Sequence, residues 1–565
     1  MSFCEECGQR MTPDSRFCEA CGAAAMASGK SDPEEVKDRA GHFEESCFVV
    51  INRAGWRVRW GRSDATALEL DLRKYLMMRS QQSRVAYWIC DISAYGASAS
   101  PNWRQVVAAI KGALGGRKPK FIFIIGGSTD LPMGEVSNPC RDNTDHNVHT
   151  DYCYSLLSAD DLGLPESELA SVPNYLVGRL PLGRDTTPAQ VRQYFHNATH
   201  QGAWPGHGRK NIAGVSSKAW EVASEQVFIK LNVPQSLLHR SPAFRIDDFD
   251  RVVASDPSCL FFNVHGGSDP DASCWRGDNG EKVTQETFEQ SYPKVVDSAS
   301  LNLKSVNVAL TEACYGGRFF DPASQEEEFM GSQSILLKAL FDKTIAFVGA
   351  SKVTFAESDS MHQICYGASD KLATEFLAPV ACESPWSTIS QSLGETMLRA
   401  RIALRSHAFD ETANHPAYSL FVKKMFLAFN LFGDPTLFRL AGQSNSKSNS
   451  DRFFVDVQRD LHASLMSEIN NTVSSLHSGL RREVFGRVNQ IHQSLRADIL
   501  DGVNRSVFSI YSNLIGVKPT ETCWQNDKGA IGYLLNYPKR LEGHDCGIFV
   551  TCDSKGKIQR ILTPK

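Results

Sequence analysis

Two short apolar runs near the middle of the chain constrain its fold and its chemistry together. Residues 258–267 read Ser-Cys-Leu-Phe-Phe-Asn-Val-His-Gly-Gly, and residues 305–317 read Ser-Val-Asn-Val-Ala-Leu-Thr-Glu-Ala-Cys-Tyr-Gly-Gly. Continuous apolar runs rich in Val and Phe and closed by glycine are the pattern of buried parallel strands. Reactive groups of open α/β sheets sit just beyond the carboxyl ends of such strands. If the two strands are neighbours, His265 and Cys314 face each other across one crevice. An imidazole beside a thiol helps to form the nucleophilic thiolate. The following glycines let a peptide carbonyl approach the backbone, so the N–H groups of Gly266 and Cys314 are candidates for holding an oxyanion. A lone Cys or a lone His reads as packing. Two strand ends, each with glycine at the point of chemistry, read as a catalytic pair.

A chain of 565 residues exceeds one core and implies two to four domains. Short strand patterns alternate with helical ones from Cys47 onward: strands over 47–52, 87–91, 121–125 and 175–179, helices over 65–76, 103–114 and 187–200. A second series follows Lys210, with strands over 212–215, 244–246, 260–264, 306–310 and 345–348. Its helices fall over 220–231, 332–341, 360–376, 389–405 and 417–429. Alternation of this kind argues for an α/β fold with a mainly parallel sheet, here in two half-domains, 46–209 and 210–442. The polar stretch 130–160 carries Asp145, His146, His149 and Asp151. A metal cluster there is one reading, and a surface loop near the active face is the safer one.

The first residues contain two Cys-x-x-Cys knuckles, Cys4/Cys7 and Cys18/Cys21, each followed by glycine. Four thiolates at this spacing close a tetrahedral structural Zn2+ site with no open position for catalysis. Residues 1–24 are therefore expected to be a small zinc ribbon whose metal supplies its folding energy, and 25–45 a linker. Arg10 and Arg16 are outnumbered by Glu5, Glu6, Asp14 and Glu19, so a protein contact suits the ribbon better than a nucleic acid. The net charge of −4 gives no general attraction to nucleic acid or anionic membrane. No apolar run approaches the ~20 residues of a membrane span. The N-terminus lacks a basic-then-apolar leader, and most of the 16 cysteines are scattered singly, which together suggest the cytoplasm.

Residues 443–452 form a linker around Asn-Ser-Lys-Ser-Asn-Ser. Beyond it, apolar residues recur at 461, 465, 469, 473, 476, 480, 484, 488, 491, 495 and 499, a period of about 3.8. That predicts a long helical segment over 453–515 packing along one stripe rather than a left-handed coiled coil. Residues 516–565 turn β-like, with a hairpin at Asp553-Ser554-Lys555-Gly556.

His265-Gly266-Gly267 after one strand and Glu312-Ala313-Cys314-Tyr315-Gly316-Gly317 after another resemble the clan of caspases, metacaspases and gingipains. The gingipain-like peptidases match best. The likeness extends to Asp151-Tyr152-Cys153-Tyr154, to Val177-Gly178-Arg179-Leu180-Pro181 and to Asn430-Leu431-Phe432-Gly433-Asp434-Pro435-Thr436-Leu437. These blocks occur in the family's order from Ser46 to Leu440. The resemblance implies a caspase/gingipain-like sandwich and a cysteine endopeptidase acting on protein substrates by a Cys314–His265 dyad. It also suggests a basic first pocket. Glu312 sits where metacaspase-like relatives place a floor acid, Glu225 roughly where gingipain-like enzymes carry one, and Phe355 resembles an aromatic pocket wall. A buried carboxylate prefers a guanidinium or ammonium partner, so cleavage after Arg or Lys is expected. By analogy, the layout of accessory modules around a protease suggests regulated limited proteolysis of the kind found in microbial defence and cell death. A regulatory protein partner would then bind the ribbon or the C-terminal module. The alternative is an inactive caspase-fold scaffold that uses those same parts for recognition.

Overall fold

In the computed structural model of the protein, the described residues are 45–437 and 488–564, with short internal breaks, together with 2–3, 10–11 and 34–36. An eleven-stranded sheet organises residues 34–433. Its first five strands are β1 (Glu34–Val36), β2 (Glu45–Ile51), β3 (Val85–Asp91), β4 (Phe121–Ile125) and β5 (Leu176–Leu180). The next five are β6 (Ile212–Ser217), β7 (Leu238–Ser241), β8 (Cys259–Asn263), β9 (Val308–Thr311) and β10 (Ala346–Ala350). A separate strand β11 (Phe355–Ser358) follows, and β12 (Phe429–Gly433) completes the sheet. The spatial order is β7-β6-β8-β9-β10-β12-β5-β4-β2-β3-β1.

Buried parallel strands need apolar side chains on both faces, and β4 and β8 are buried at every position. Each fully buried Phe, Leu or Ile contributes on the order of 2 kcal/mol relative to exposure. Helices cover the faces and are capped by the sequence where they start. Asn102 opens Trp103–Leu114 with a capping box to Gln105, and Ser334 accepts the Leu337 N–H at the start of Ile335–Asp342.

The two half-domains share this sheet through β12, which runs antiparallel to β10 and parallel to β5. Strands of the two halves therefore point in opposite directions. The segment between β4 and β5 crosses back to the edge where β9 and β10 end: the Tyr315 hydroxyl donates to Asp145 (3.0 Å) and the Ser351 hydroxyl to the His149 carbonyl (2.6 Å). Asp434, just past β12, accepts from the Tyr75 hydroxyl (2.6 Å), while its own N–H donates to the Tyr194 hydroxyl (2.8 Å). This ties the helices Arg53–Ser83 and Pro188–Gln201 to the join.

Several elements differ from the sequence expectation. The strand expected over 244–246 is instead β7, upstream; Phe244 sits in a turn whose N–H donates to the Arg240 carbonyl. The helix expected over 417–429 ends at Ala428, and the next apolar residues form β12. Of the expected helical stripe, 461–484 lies outside the described residues, Val488–Ile491 is a strand (β13), and Ala497–Ile510 is a helix. Cys4, Cys7, Cys18 and Cys21 also lie outside the described residues; Ser2–Phe3 and Arg10–Met11, which flank the first knuckle, pair antiparallel. The linker at 445–450 is likewise outside.

The C-terminal sheet contains β13, β14 (Thr520–Asn526), β15 (Ile531–Leu541), β16 (His544–Asp553) and β17 (Ile558–Pro564), and β11 of the catalytic region completes it. Its two faces alternate with the pleat. Trp524, Leu534, Phe549 and Leu562 join the main core, whereas Tyr533, Leu535, Val550 and Ile561 pack with Val503 and Val507 of the helix Ala497–Ile510. Among the described residues, no helix is long and apolar enough to cross a membrane.

Candidate active site

β8 and β9 are direct parallel neighbours, with Cys259 opposite Val308 and Phe262 opposite Thr311. The Glu312 N–H then donates to the Phe262 carbonyl (2.8 Å), so the ladder continues past the last assigned pair. The offset is 308 − 259 = 49, and 314 − 265 is also 49, which sets His265 level with Cys314. At Gly266 the two strand ends touch. A Cβ built there would lie 1.7 Å from the Cys314 carbonyl oxygen, so only glycine admits this approach. His265 and Cys314 thus stand just past the ends of neighbouring strands.

His265 pairs in a short antiparallel ladder with Arg276, and the chain then turns through Gly277-Asp278-Asn279-Gly280. That turn returns Asp278 to the imidazole, with Nε2 3.0 Å from Oδ2. The other carboxylate oxygen accepts the Gly280 N–H (2.7 Å). Burial alone would raise the Asp278 carboxyl; the His265 hydrogen bond and charge, the Gly280 N–H and the Tyr292 hydroxyl outweigh it and hold it below the usual range. Trp220 lies edge-on to the imidazole at 4.5 Å between ring centroids, and Tyr292 at 5.2 Å. Both rings contact the imidazole, which remains 23% exposed. Nε2 is thus the ring nitrogen held at Asp278. No motif in the sequence marks Asp278 as an orienting group. Its only local signal was an acid inside a glycine-bounded turn 13 residues past the histidine.

The Cys314 side chain is buried. Its Sγ donates to the Thr354 carbonyl (3.4 Å) and accepts the Thr354 N–H (3.3 Å), with the Thr354 hydroxyl 3.8 Å away. That hydroxyl donates to the Glu312 carbonyl (2.5 Å).

The residues suggested for the first pocket separate. Glu312 is fully buried at the end of β9, and its Oε2 accepts from the Ser369 hydroxyl (2.7 Å). Its level in the ladder is that of Asn263, whose amide donates to Ser224 Oγ (3.0 Å), itself 2.8 Å from Ser216 Oγ. Glu225 stands elsewhere: it is 37% exposed and paired to Arg240 at 2.5 Å on the outer edge of the sheet. Phe355 is core, packed edge-on against Phe421 (5.0 Å) and Phe549 (5.6 Å). His149 is buried against Phe320 and Asp145 pairs with Lys424 (2.9 Å). Among the described residues no group of three His, Cys, Asp or Glu is placed to hold a metal ion.

A profile of peptidase family C25 matches residues 65–439, two thirds of the chain. No curated protein matches the sequence. Among solved structures, the Arg-specific cysteine proteinase gingipain R aligns at 9% identity and a TM-score of 0.46, over 92% of this chain and 97% of that one. A structure described as a protease aligns at 11% identity and a TM-score of 0.45, over 94% of this chain and 98% of that one. A complex of the pro- and mature domains of a Porphyromonas gingivalis gingipain gives 9% identity and 0.44, over 92% and 99%. Likeness this distant leaves membership to the family profile. By that profile the chain belongs to peptidase family C25, and it is a cysteine peptidase.

Proposed function

We propose that the protein is an endopeptidase in which Cys314 is the nucleophile, His265 the proton carrier and Asp278 the group that holds the imidazole in one tautomer. The observation that carries this reading is the shared level of His265 and Cys314 at the ends of β8 and β9, with Gly266 pressed onto the Cys314 carbonyl. His265 accepts the thiol proton as sulfur bonds to the scissile carbonyl carbon. The carbonyl electron pair moves to oxygen, where the N–H groups of Gly266 and Cys314 stabilise it. Collapse breaks the C–N bond and the leaving amine takes the proton from His265. Water, deprotonated by His265, then hydrolyses the thioester and returns the thiol.

The substrate side chain proposed is Arg or Lys. Support comes from Glu312 and from a buried acceptor at its level: Asn263 Oδ1 has no hydrogen-bond partner among the described residues. A guanidinium or ammonium entering there would meet the Glu312 carboxylate and satisfy the Asn263 oxygen. The test is a peptide chloromethyl ketone ending in Arg. Mass spectrometry should find its adduct on Cys314, absent in His265→Ala and in Glu312→Gln reduced at least about tenfold relative to a ketone ending in Leu. An adduct elsewhere, or equal reaction with both ketones, would reject the site or the specificity respectively.

Cys4, Cys7, Cys18 and Cys21 are proposed to hold one structural zinc, and the ribbon to meet a regulatory protein. Metal analysis should find one zinc per chain, lost in Cys18→Ser, with a ratio unchanged by Cys314→Ala.

A further inference from the structure

The residue after Cys314 has an unusual backbone. Tyr315 has a φ of +55°, in the left-handed region that a bulky side chain rarely adopts. The peptide joining it to Cys314 is held at both ends. The Cys314 carbonyl is pressed onto Gly266, and the Tyr315 N–H donates to the Lys352 carbonyl (3.1 Å). The chain beyond is tied as well, because the Gly316 and Gly317 N–H groups donate to the Ala313 and Ala350 carbonyls at 3.1 and 2.8 Å. Relaxing Tyr315 to an ordinary φ would therefore turn the 314–315 peptide plane. That plane lies against Gly266 and follows the Cys314 N–H, the two donors proposed to receive the oxyanion.

Backbone strain of this kind persists only where surrounding contacts over-determine it. Here the contact comes from the other half-domain. Asp145, in the segment between β4 and β5, accepts the Tyr315 hydroxyl at Oδ1 (3.0 Å) and the Val353 N–H at Oδ2 (3.2 Å). The next residue after Val353 is Thr354, whose N–H donates to Cys314 Sγ (3.3 Å). One carboxylate thus holds the chain neighbours of both partners in that contact. Asp145 is itself anchored: its carbonyl accepts the Asn138 amide (2.8 Å), and the Asn138 N–H donates to the next carbonyl, of His146 (3.1 Å). Burial alone would raise its carboxyl; Lys424 at 2.9 Å, Lys352 at 3.8 Å and the Val353 N–H outweigh burial and keep it ionised. We infer that Asp145, supplied by the first half-domain, is a positioning residue for the nucleophile, holding Tyr315 in its left-handed conformation and the 352–354 segment against Cys314. The inference rests on Cys314 being the nucleophile.

The test uses the full chain and reads kcat and KM per folded molecule with fluorogenic peptide amides ending in Arg and in Leu. Tyr315→Phe removes only the hydroxyl and leaves Asp145 with both lysines and the Val353 N–H. Its kcat and kcat/KM should fall together by about tenfold, the mark of an interaction needed in the transition state rather than in substrate binding. Asp145→Asn should lower kcat by about a hundredfold, as a small displacement of reacting groups does. The double variant should lie within about threefold of Asp145→Asn, because the hydroxyl acts only through that carboxylate. Should Asp145→Asn not fold, Tyr315→Phe decides alone. Unchanged kcat in folded Tyr315→Phe, a loss confined to KM, or losses that multiply in the double variant would overturn the inference. Those results leave the nucleophile assignment intact as long as Cys314→Ala is inactive; activity in Cys314→Ala would remove the assignment itself, and the inference with it.

Discussion

Two acid–base pairs in this molecule use the same charges for opposite purposes. In the first half-domain, Arg179 of β5 is 0% exposed and forks onto Asp151 through two hydrogen bonds of 2.7 and 2.8 Å. Its remaining nitrogen donates to the Gly126 and Leu131 carbonyls at 3.2 and 2.5 Å. In the second half-domain, His265 meets Asp278 through one nitrogen and keeps part of its ring exposed. The first pair is saturated and sealed, so it can only hold backbone in place. The second is half-satisfied and reachable, which is what proton transfer requires. Partner satisfaction and access separate a structural ion pair from one proposed to be catalytic more cleanly than charge does.

Breaking each pair should give different signatures. The largest effect is expected at the crevice. Cys314→Ala or His265→Ala should lower peptide turnover by more than about 10^4 while leaving the thermal transition nearly in place. Next, Arg179→Met should cost about 3–5 kcal/mol of stability, because Asp151 is left as a buried unpaired charge. Denaturant unfolding measures this, and the folded fraction should keep its turnover per molecule.

Asp278→Asn should lower kcat by about a hundredfold with little change in KM. It should also change the acid limb of stability. The Asp278 carboxyl is held below its ordinary value in the folded protein. Its contribution is therefore present above the unfolded value of about 3.9 and lost as pH falls through the lowered folded value. Wild type and Asp278→Asn should differ in stability at neutral pH and converge in strong acid. The smallest effect is expected at Glu225, whose pair with Arg240 is over a third exposed. Glu225→Ala should change stability by less than about 1 kcal/mol and leave the preference between basic and apolar ketones unchanged.

The parts of this arrangement that could be read from sequence are those set by local pattern. Trp103–Leu114 and Phe121–Ile125 fall at the expected bounds, since a capped amphipathic stretch and a five-residue apolar run leave few alternatives. The placement of His265 and Cys314 was legible for a similar reason: each follows a buried apolar run, and Gly266 has a contact that admits no side chain. Phe429–Gly433 was hidden because its apolar residues extend the helix before it, and only pairing with β5 and β10 makes them a strand. Asp278 lies in a polar turn whose return to the imidazole depends on the ladder 265–276. Glu225 was misdirected by helical position alone, which does not say whether a side chain faces the crevice or the sheet edge. The pairing of Phe355 with Pro564 joins residues more than two hundred positions apart, and no local signal announces it.

The central claim is that the imidazole of His265 acts on the Cys314 thiol. The most direct measurement is the pH dependence of Cys314 alkylation by iodoacetamide in wild type and His265→Ala. The account predicts a wild-type rate that rises at lower pH than an ordinary thiol, whose value is about 8.5, and an alanine variant that returns to that ordinary curve. Superimposable curves for the two proteins would contradict it.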